Sequence, residues 1–412
     1  MEDKIKRFTR IYPWFSGLTG DLLFYIAIDT LFLTLVKNFS AAQIVSLTSV
    51  SQLACIALQF PMLFVIKKIG NTASIRLGAL LLLLSAVFIT LGKSYYVVLL
   101  GRILHDAAAI FRSAAVVALE NNLEAVDRRK DFVRYRTAAN TVYSFITMVI
   151  SFVASYLFNL NPYVPMLCCI GTCTAGFVLS LLMKDCSGYD KIFVKKTNRA
   201  KVKIPYGSFI VITILVYSIF CLVVTNSQNE GKLFIQQQLL LEFDAETTAL
   251  LIGAVVCVSR IVRVCSNVVF ARLYEKYQGK MGVALPVMLS FSVVFLLLGS
   301  AIPAVVAKIL VMALGYSIIL FVRDPFKLYI QDVVLGNTPK EQHQTLLTVL
   351  EFGVKIAGAG MGLVFSAILV GYPMAVVMWL LLGISAVEIL LSLKLYKAVL
   401  EAKTRKMQEK FS

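Results

Sequence analysis

Charged residues are scarce in this sequence, which excludes an ordinary soluble domain. Only 15% of its 412 residues are Asp, Glu, Lys or Arg, whereas 59% are hydrophobic. Soluble domains average about 25% charged residues. Residues 137–183 and 204–229 contain no charged residue at all. Because a chain of this size cannot hide so much apolar surface from water, we expect most of it to lie in a lipid bilayer.

Motifs of the common enzyme chemistries are also missing. The sequence has no Gly-x4-Gly-Lys-Ser/Thr loop for ATP and no His-Glu-x-x-His metal pair, and its two histidines, His105 and His343, are far apart. Its eight cysteines form no paired set with zinc spacing, and we expect them to be small apolar residues in the bilayer. We predict no enzyme, cofactor or metal site, with a membrane enzyme as an open alternative.

Twelve apolar segments fill most of the chain, and most approach or exceed the length of about 20 residues that spans a bilayer. We predict spans over residues 12–36, 42–66, 74–92, 95–120, 135–159, 163–183, 206–239, 246–271, 281–301, 303–331, 344–369 and 373–396. The first segment is long and is followed by others, so we expect a retained anchor and not a cleaved signal. The pattern predicts an all-α membrane protein with twelve transmembrane helices.

Lysine and arginine alternate between the two sides of these segments. The net charge of +17 lies in short clusters between apolar runs, which is typical of membrane proteins and not of nucleic-acid binders. If both termini are inside, the outer loops hold only Lys37 and Lys93, and the other clusters are inside. Because basic loops stay on the cytoplasmic side, we predict a multi-pass protein of the cell membrane with both termini cytoplasmic.

The sequence repeats at about half its length. The run Phe-Ser-Ala-Ala-Gln at 39–43 corresponds to Phe-Asp-Ala-Glu-Thr at 243–247, and Gly-Arg-Ile-Leu at 101–104 corresponds to Ala-Lys-Ile-Leu at 307–310. Residues 184–203, with seven Lys or Arg, separate the two halves. We predict six-helix bundles over 1–183 and 204–412, the second with a cytoplasmic tail, joined by a cytoplasmic linker. Paired repeats of this kind are typical of secondary transporters.

Two short motifs resemble those of the major facilitator superfamily. After its second helix the family has Gly-x-x-x-Asp-Arg-x-Gly-Arg-Lys; Lys68 and Gly70 keep the arginine and glycine places, and Lys67 replaces the aspartate. The run Arg-Ile-Leu-His-Asp at 102–106 resembles the family's Arg-x-x-Gln-Gly pattern in helix four. The resemblance covers essentially the whole chain. It implies the family's fold, transport of a small solute by alternating access, and an influence of Arg102 on a proton site.

Ionisable residues within the fourth segment form one candidate site, because a charge inside a span costs at least about 2.5–3.5 kcal/mol to insert. Arg102, His105, Asp106, Arg112 and Glu120 fall on one helical stripe. Arg102 and Asp106 are four residues apart and can pair. The stripe faces either an aqueous cavity or a closed ion-pair lock between helices.

The first and seventh segments carry further polar candidates. Asp21, Tyr25 and Asp29 follow at four-residue intervals and should share one helix face, where a desolvated carboxyl can bind a proton. Asp29 can instead lie near the outer surface. Residues 226–232 interrupt the seventh segment, and we predict a broken helix that lines a cavity. The alternative is an outer loop.

The second half has more intramembrane cations than anions, which favours an anionic or zwitterionic substrate. Glu351 and Lys355 have the spacing of an i, i+4 ion pair. We expect the substrate and proton path to be formed by Asp21, Tyr25, Asp29, Arg102, His105, Asp106, Arg112, Asn226, Gln228, Asn229, Glu230, Arg260, Arg323, Asp324, Glu351 and Lys355.

The sequence as a whole predicts a secondary active transporter. Since no ATPase motif is present and acidic groups lie at membrane depth, we expect coupling to protons, which gain about 2.3 kcal/mol per 100 mV of membrane potential. The expected partners are a small solute, protons and lipid, and we expect a monomer. The alternative is a transport-inactive membrane protein of the same fold, a transceptor or a structural protein, which the incomplete motif after the second segment favours.

The first prediction concerns orientation. An impermeant thiol reagent should label a cysteine introduced beside Lys93 in intact cells and should not label one introduced at Lys196, because the basic linker is expected inside. The unmodified chain is the control for its eight native cysteines. The opposite labelling pattern would reverse the assigned orientation.

Overall fold

The computed structural model describes residues 2–187, 208–337 and 343–411, and helices account for nearly all of them. The first half contains α1 (Glu2–Thr19), α2 (Tyr25–Leu31), α3 (Ala41–Ile69), α4 (Asn71–Leu91), α5 (Tyr95–Arg112), α6 (Ala114–Glu124), α7 (Phe132–Leu160) and α8 (Val164–Leu182). The second half contains α9 (Ser208–Leu240), α10 (Ala245–Ala301), α11 (Val305–Asn337), α12 (His343–Ile368) and α13 (Met374–Phe411). The described ranges contain no β-strand.

All twelve predicted spans correspond to helices in the described part of the chain. Ten helical stretches are long and apolar enough to cross a bilayer. The first and fourth spans are each divided into two shorter helices, α1–α2 and α5–α6. The eighth and ninth spans both lie in α10, on either side of non-helical backbone at Tyr277 (φ −123°, ψ 16°). The predicted all-α fold with twelve transmembrane helices in two six-helix repeats is confirmed.

The chain divides into two compact units. One comprises Met1–Thr197 and Ala245–Cys257, and the other comprises Asn198–Asp244 and Val258–Ser412. In the first unit, Phe8, Tyr12 and Phe15 of α1 pack in a core with small and aliphatic residues of α4 and α6. In the second unit, α9 packs against α11, α12 and α13. Of the predicted linker 184–203, residues 188–203 lie outside the described residues.

The first span is interrupted at residues 20–24, which the sequence analysis did not predict. Gly17 and Gly20 allow α7 to approach closely, because a Cβ atom on Gly20 would lie 2.5 Å from Tyr143 Cδ2 and one on Gly17 would lie 2.7 Å from Val142 Cγ1. The Asp21 Oδ1 accepts a hydrogen bond from the backbone N–H of Leu22 at 2.8 Å. Side-chain acceptors of this kind replace the backbone bonds that a helix loses at a break.

The predicted break in the seventh span is wrong, and so is the alternative of an outer loop. Residues 226–232 lie inside α9, which continues without interruption to Leu240. Asn226 is buried and its Nδ2 donates to the carbonyl oxygen of Leu222 at 2.7 Å. Because a polar side chain can return its hydrogen bond to its own helix, a polar run does not by itself end a helix in the membrane.

The repeated sequence before the second and eighth spans precedes the start of a helix in both halves. Ser40 Oγ accepts from Gln43 N at 3.2 Å, and Gln43 Oε1 accepts from Ser40 N at 3.0 Å, which forms a capping box at the start of α3. In the second copy, Asp244 immediately precedes α10. The N-cap position favours Ser and Asp alike. Ser40 and Asp244 can therefore differ although each precedes the start of a helix.

The residues that follow α8 are attached to the start of α4 and the last turn of α6. Asp185 is buried, and its Oδ2 accepts from Asn71 Nδ2 at 2.8 Å and from Asn121 Nδ2 at 3.1 Å. Its Oδ1 accepts from the hydroxyl of Ser187, and its backbone N–H donates to Thr72 Oγ1 at 3.0 Å. The carboxylate therefore holds α4, α6 and the start of the linker together.

We predict that Asp185→Ala lowers the unfolding free energy by about 1–3 kcal/mol, because it leaves four partly buried donors without their acceptor. Thermal unfolding of the purified protein measures the change. Asp3→Ala, at an exposed carboxylate of the same unit, is the control and should leave the unfolding temperature unchanged. Equal unfolding temperatures for Asp185→Ala and the unmodified protein would contradict the assignment.

Candidate functional site

A histidine between two carboxylates lies at the centre of the first unit. His105 of α5 contacts Asp21, in the break between α1 and α2, through Nε2 at 2.9 Å from Oδ1. Its Nδ1 lies 3.2 Å from Oδ1 of Asp106. The His105 side chain is 13% exposed, and the carboxylates are 27% (Asp21) and 20% (Asp106) exposed. We call these three residues the carboxylate–histidine cluster.

The hydrogen bonds of the cluster require one proton more than a neutral histidine provides. A neutral imidazole donates from one ring nitrogen and accepts at the other, whereas ionised carboxylates only accept. Both contacts of His105 are therefore satisfied only if the ring is an imidazolium or if one of the two carboxyls is protonated. The second oxygen of Asp106, Oδ2, is buried and has no hydrogen-bond partner in the described part of the chain. Hydrogen bonding at both ring nitrogens thus requires a proton on the cluster in addition to that of a neutral ring.

The expected pair between Arg102 and Asp106 does not form. Asp106 contacts His105 instead, since the ring is held by Asp21 on its other side. Arg102 lies one turn before Asp106 on α5, near enough for its charge to act on Asp21, Asp29 and Asp106. The guanidinium therefore partly neutralises the negative charge of the cluster.

The prediction that Asp21, Tyr25 and Asp29 share one helix face is wrong, because the break places Asp21 outside α2. Tyr25 is buried at the first position of α2. Asp29 is partly buried, and its Oδ1 accepts from the backbone N–H of Thr30 at 2.7 Å. Helical periodicity therefore does not relate the three residues, and the tertiary contact with His105 decides the position of Asp21.

The fourth span bends at one residue, Ser113, between α5 and α6. Ser113 keeps helical backbone angles (φ −57°, ψ −25°), and its N–H donates to the carbonyl oxygen of Ala109 at 3.2 Å. Arg112 Nε donates to the carbonyl oxygen of Ala108 at 3.2 Å. Beyond the bend, Glu120 forms an ion pair with Arg129 at 2.7 Å, so it differs from the rest of the predicted stripe in its partner.

Arg112 faces a cavity of about 210 Å³ within the first unit. The cavity is lined by Tyr12, Phe15, Ser16, Thr19, Gly20, Ala109, Arg112, Ser113, Ala115, Val116 and Arg136. Nη1 of Arg136, on α7, donates to the hydroxyl of Tyr12 at 3.2 Å. The cavity lining holds two arginines and no acidic residue, so its charge is positive. We call it the arginine cavity.

The candidates on α9 in the second unit differ in burial. Asn226 and Glu230 are buried, whereas Asn229 is exposed. Oε1 of Gln228 accepts from Nη1 of Arg323 at 3.0 Å. Oε2 of Glu230 has no hydrogen-bond partner among the described residues. Glu230 is therefore a buried acidic residue with one carboxyl oxygen unsatisfied among the described residues, which is costly in a span.

Ion pairs across helices engage several of the remaining candidates of the second unit. Asp324 binds Arg263 through two hydrogen bonds, at 2.7 and 3.2 Å. The expected pair of Glu351 with Lys355 does not form, because Glu351 contacts Lys327 of α11 at 2.7 Å. Arg260 is buried, and its Nε has no partner in the described ranges.

The sequence analysis missed Glu388, which is fully buried on α13. Its Oε1 accepts from Ser392 Oγ at 2.8 Å, and its Oε2 has no hydrogen-bond partner in the described part of the chain. The signal was available, because Glu388 is the single charged residue between positions 373 and 393. An acidic residue with Ser four positions later, in an otherwise apolar run, indicates a buried carboxyl.

Comparison with known families and structures identifies the fold. The family model of the Major Facilitator Superfamily matches residues 14–334. The chain belongs to this superfamily. A mutant of the nucleoside transporter NupG has a TM-score of 0.68 at 11% identity, with 97% of this chain and 98% of that chain covered. A bacterial homologue of the iron transporter ferroportin, in an inward-facing state, has a TM-score of 0.66 at 12% identity, with 95% and 98% covered.

These structural likenesses show the fold alone, and a search of curated proteins finds no match. Membership of the superfamily confirms the resemblance that the two motifs carried and supports a role in membrane transport. The glycine kept in the first motif, Gly70, has φ of 87° at the junction of α3 and α4. A residue with a side chain rarely adopts that conformation, which explains the glycine at this position.

We predict that Gly78→Ala disturbs the position of Arg112. A Cβ atom on Gly78 of α4 would lie 2.8 Å from both the Cγ and the backbone nitrogen of Arg112, so α4 and α5 must separate. The expected loss of unfolding free energy is about 1–3 kcal/mol, measured by thermal unfolding.

The matched control is Gly171→Ala, on α8 of the same unit, where a Cβ atom would meet nothing within 4 Å. Alanine is the better helix former by about 0.5–1 kcal/mol, so this control should be neutral or stabilising. If both variants unfolded at the same temperature, the close approach at Arg112 would have no energetic role.

Proposed function

We propose that this protein is a secondary active transporter that moves a small anionic or zwitterionic solute across the cell membrane by alternating access, driven by a proton gradient. The observation that carries the proposal is the carboxylate–histidine cluster. Its three ionisable groups share one exchangeable proton inside a span, where an uncompensated charge is costly. A group that gains and loses a proton at that depth can couple solute movement to the proton gradient.

The break in the first span supports the same function. Discontinuous helices occur in transporters where backbone and side-chain groups line a path for substrate or ions. Here the break carries Asp21, which belongs to the cluster. We propose functional halves at 1–183 and 204–412, joined by the cytoplasmic linker 184–203, in a monomer with both termini in the cytoplasm. We propose no enzymatic activity and no resident cofactor.

The test is uptake by the purified protein in proteoliposomes. Labelled small carboxylates, phosphate monoesters and amino acids should accumulate when a pH gradient is imposed across the vesicle membrane. His105→Gln should abolish accumulation, because an amide cannot hold the shared proton as an imidazolium does. The variant should still exchange labelled for unlabelled solute at equal concentrations on both sides.

His343→Gln, at the other histidine of the chain, is the matched control and should accumulate solute normally. Uptake that is indifferent to the pH gradient would identify a facilitator and contradict proton coupling. If none of the solutes moves, the result would favour the transport-inactive alternative.

A further inference from the structure

The arginine cavity has the size of a small ion's site. Its volume of about 210 Å³ lies below the roughly 300–1,000 Å³ of pockets for drug-sized ligands. At about 30 Å³ per water molecule, the cavity corresponds to about seven waters. A carboxylate, a phosphate or a small ester of phosphate fits such a volume, whereas a large apolar ligand does not.

The two arginines of the cavity have donors that the protein does not use. A guanidinium offers five N–H donors in a planar fork. Among the described residues, Arg112 donates one hydrogen bond, to the carbonyl oxygen of Ala108, and Arg136 donates one, to the hydroxyl of Tyr12. Neither arginine forms an ion pair among the described residues, whereas Arg263 does so with Asp324.

The rest of the lining contributes neutral polar groups and no competing acceptor charge. Tyr12, Ser16, Thr19 and Ser113 are among the lining residues, and none of the lining residues is acidic. Burying a cation without a counter-ion costs free energy, which an anion in the cavity would offset. The composition of the lining therefore points to a negatively charged ligand.

We propose that the arginine cavity binds the oxyanion group of a small solute, a carboxylate or a phosphate, between Arg112 and Arg136. The proposal rests on the proposed function, which it deepens by naming the substrate class and its site. Planar guanidinium groups bind carboxylate and phosphate through paired hydrogen bonds, which favours arginine over lysine here. The same chemistry would suit the phosphate of a lipid headgroup, and the test separates the two sources.

The cavity communicates electrostatically with the carboxylate–histidine cluster through Asp21. Gly20 lines the cavity, and the next residue, Asp21, contacts His105, so the carboxylate of Asp21 lies between the cavity and the rest of the cluster, where its charge acts on Arg112. The other groups that act on Arg112 are Cys173 and Tyr143. The cations whose charge acts on the cluster include Arg102 on α5 and Arg112 itself. A proton on the cluster reduces the negative charge beside Arg112, so anion binding should strengthen as the cluster is protonated, and the coupling is reciprocal.

The test is equilibrium binding to the full-length protein in detergent, with inorganic phosphate and acetate as probes and chloride at equal ionic strength as the reference. Arg112→Gln and Arg136→Gln should each weaken binding of the oxyanion about tenfold or more, because each removes charged hydrogen bonds. The matched control is Arg134→Gln, at an exposed arginine of α7 outside the cavity, which should bind as the unmodified protein does. Binding should be tighter below neutral pH than above it.

If Arg112→Gln does not yield monodisperse protein, Arg136→Gln and Tyr12→Phe test the same cavity in its place. A nanodisc containing phosphatidylglycerol forms the second arm. If soluble oxyanions do not bind but the anionic nanodisc raises the unfolding temperature only when both arginines are present, the site exists and its ligand is a lipid phosphate. Retention of phosphate and acetate binding by both arginine variants, or no binding in either arm, would overturn the proposal.

Because binding is measured without flux, its outcome is separate from that of the transport assay. Oxyanion binding that needs both arginines, together with uptake indifferent to the pH gradient, would keep the site and reject proton coupling. Normal proton-driven accumulation of an amino acid by Arg136→Gln, without oxyanion binding, would keep proton coupling and reject the oxyanion site.

Discussion

The free energy of a charge in the bilayer is the constraint on which the arrangement of this protein depends. A charged side chain at membrane depth has to be paired, hydrogen-bonded or hydrated. The ion pairs of Arg263 with Asp324 and of Lys308 with Glu242, at 2.7 and 2.6 Å, satisfy this requirement in the second unit. In the first unit His105 contacts two carboxylates, Asp21 and Asp106, and so provides a hydrogen-bond partner for both. The groups left without an ion partner are then the informative ones, and Arg112 and Arg136 are the pair that share a cavity.

The sequence was sufficient to predict the spans because length and apolar character decide whether a segment crosses a bilayer. It was insufficient to predict where spans break. The interruption at residues 20–24 depends on Tyr143 of α7 lying against Gly20, a contact between residues far apart in the chain. Residues 226–232 are more polar, yet they stay helical because Asn226 bonds to its own helix. Local polarity is therefore a poor guide to helix breaks, and close packing at a glycine is no better, since Gly78 lies against Arg112 inside an unbroken α4.

The residues of the candidate site were largely predictable, but their partners were not. Each ionisable residue stood out as costly in an apolar run, and Glu388 would have stood out by the same rule. The pairing rule for one helix, i to i+4, predicted Arg102 with Asp106 and Glu351 with Lys355, and both pairs are absent. Exposed pairs of this kind contribute about 0.2–0.5 kcal/mol. Glu351 instead pairs with Lys327 of α11, and Asp106 contacts its neighbour His105, whose ring also reaches Asp21.

The two repeats share a helical scaffold but not its chemistry. Arg102 and Lys308 occupy corresponding places, 206 residues apart. At the same offset His105, Asp106 and Arg112 correspond to Val311, Met312 and Ile318. Lys308 is neutralised by Glu242, whereas the charge of Arg102 acts on the acidic residues around the cluster. Lys308 therefore belongs to a structural ion pair, whereas Arg102, at the equivalent position, lies near the carboxylate–histidine cluster. Any chemistry built on Asp21, His105 and Arg112 belongs to the first unit and is not duplicated in the second.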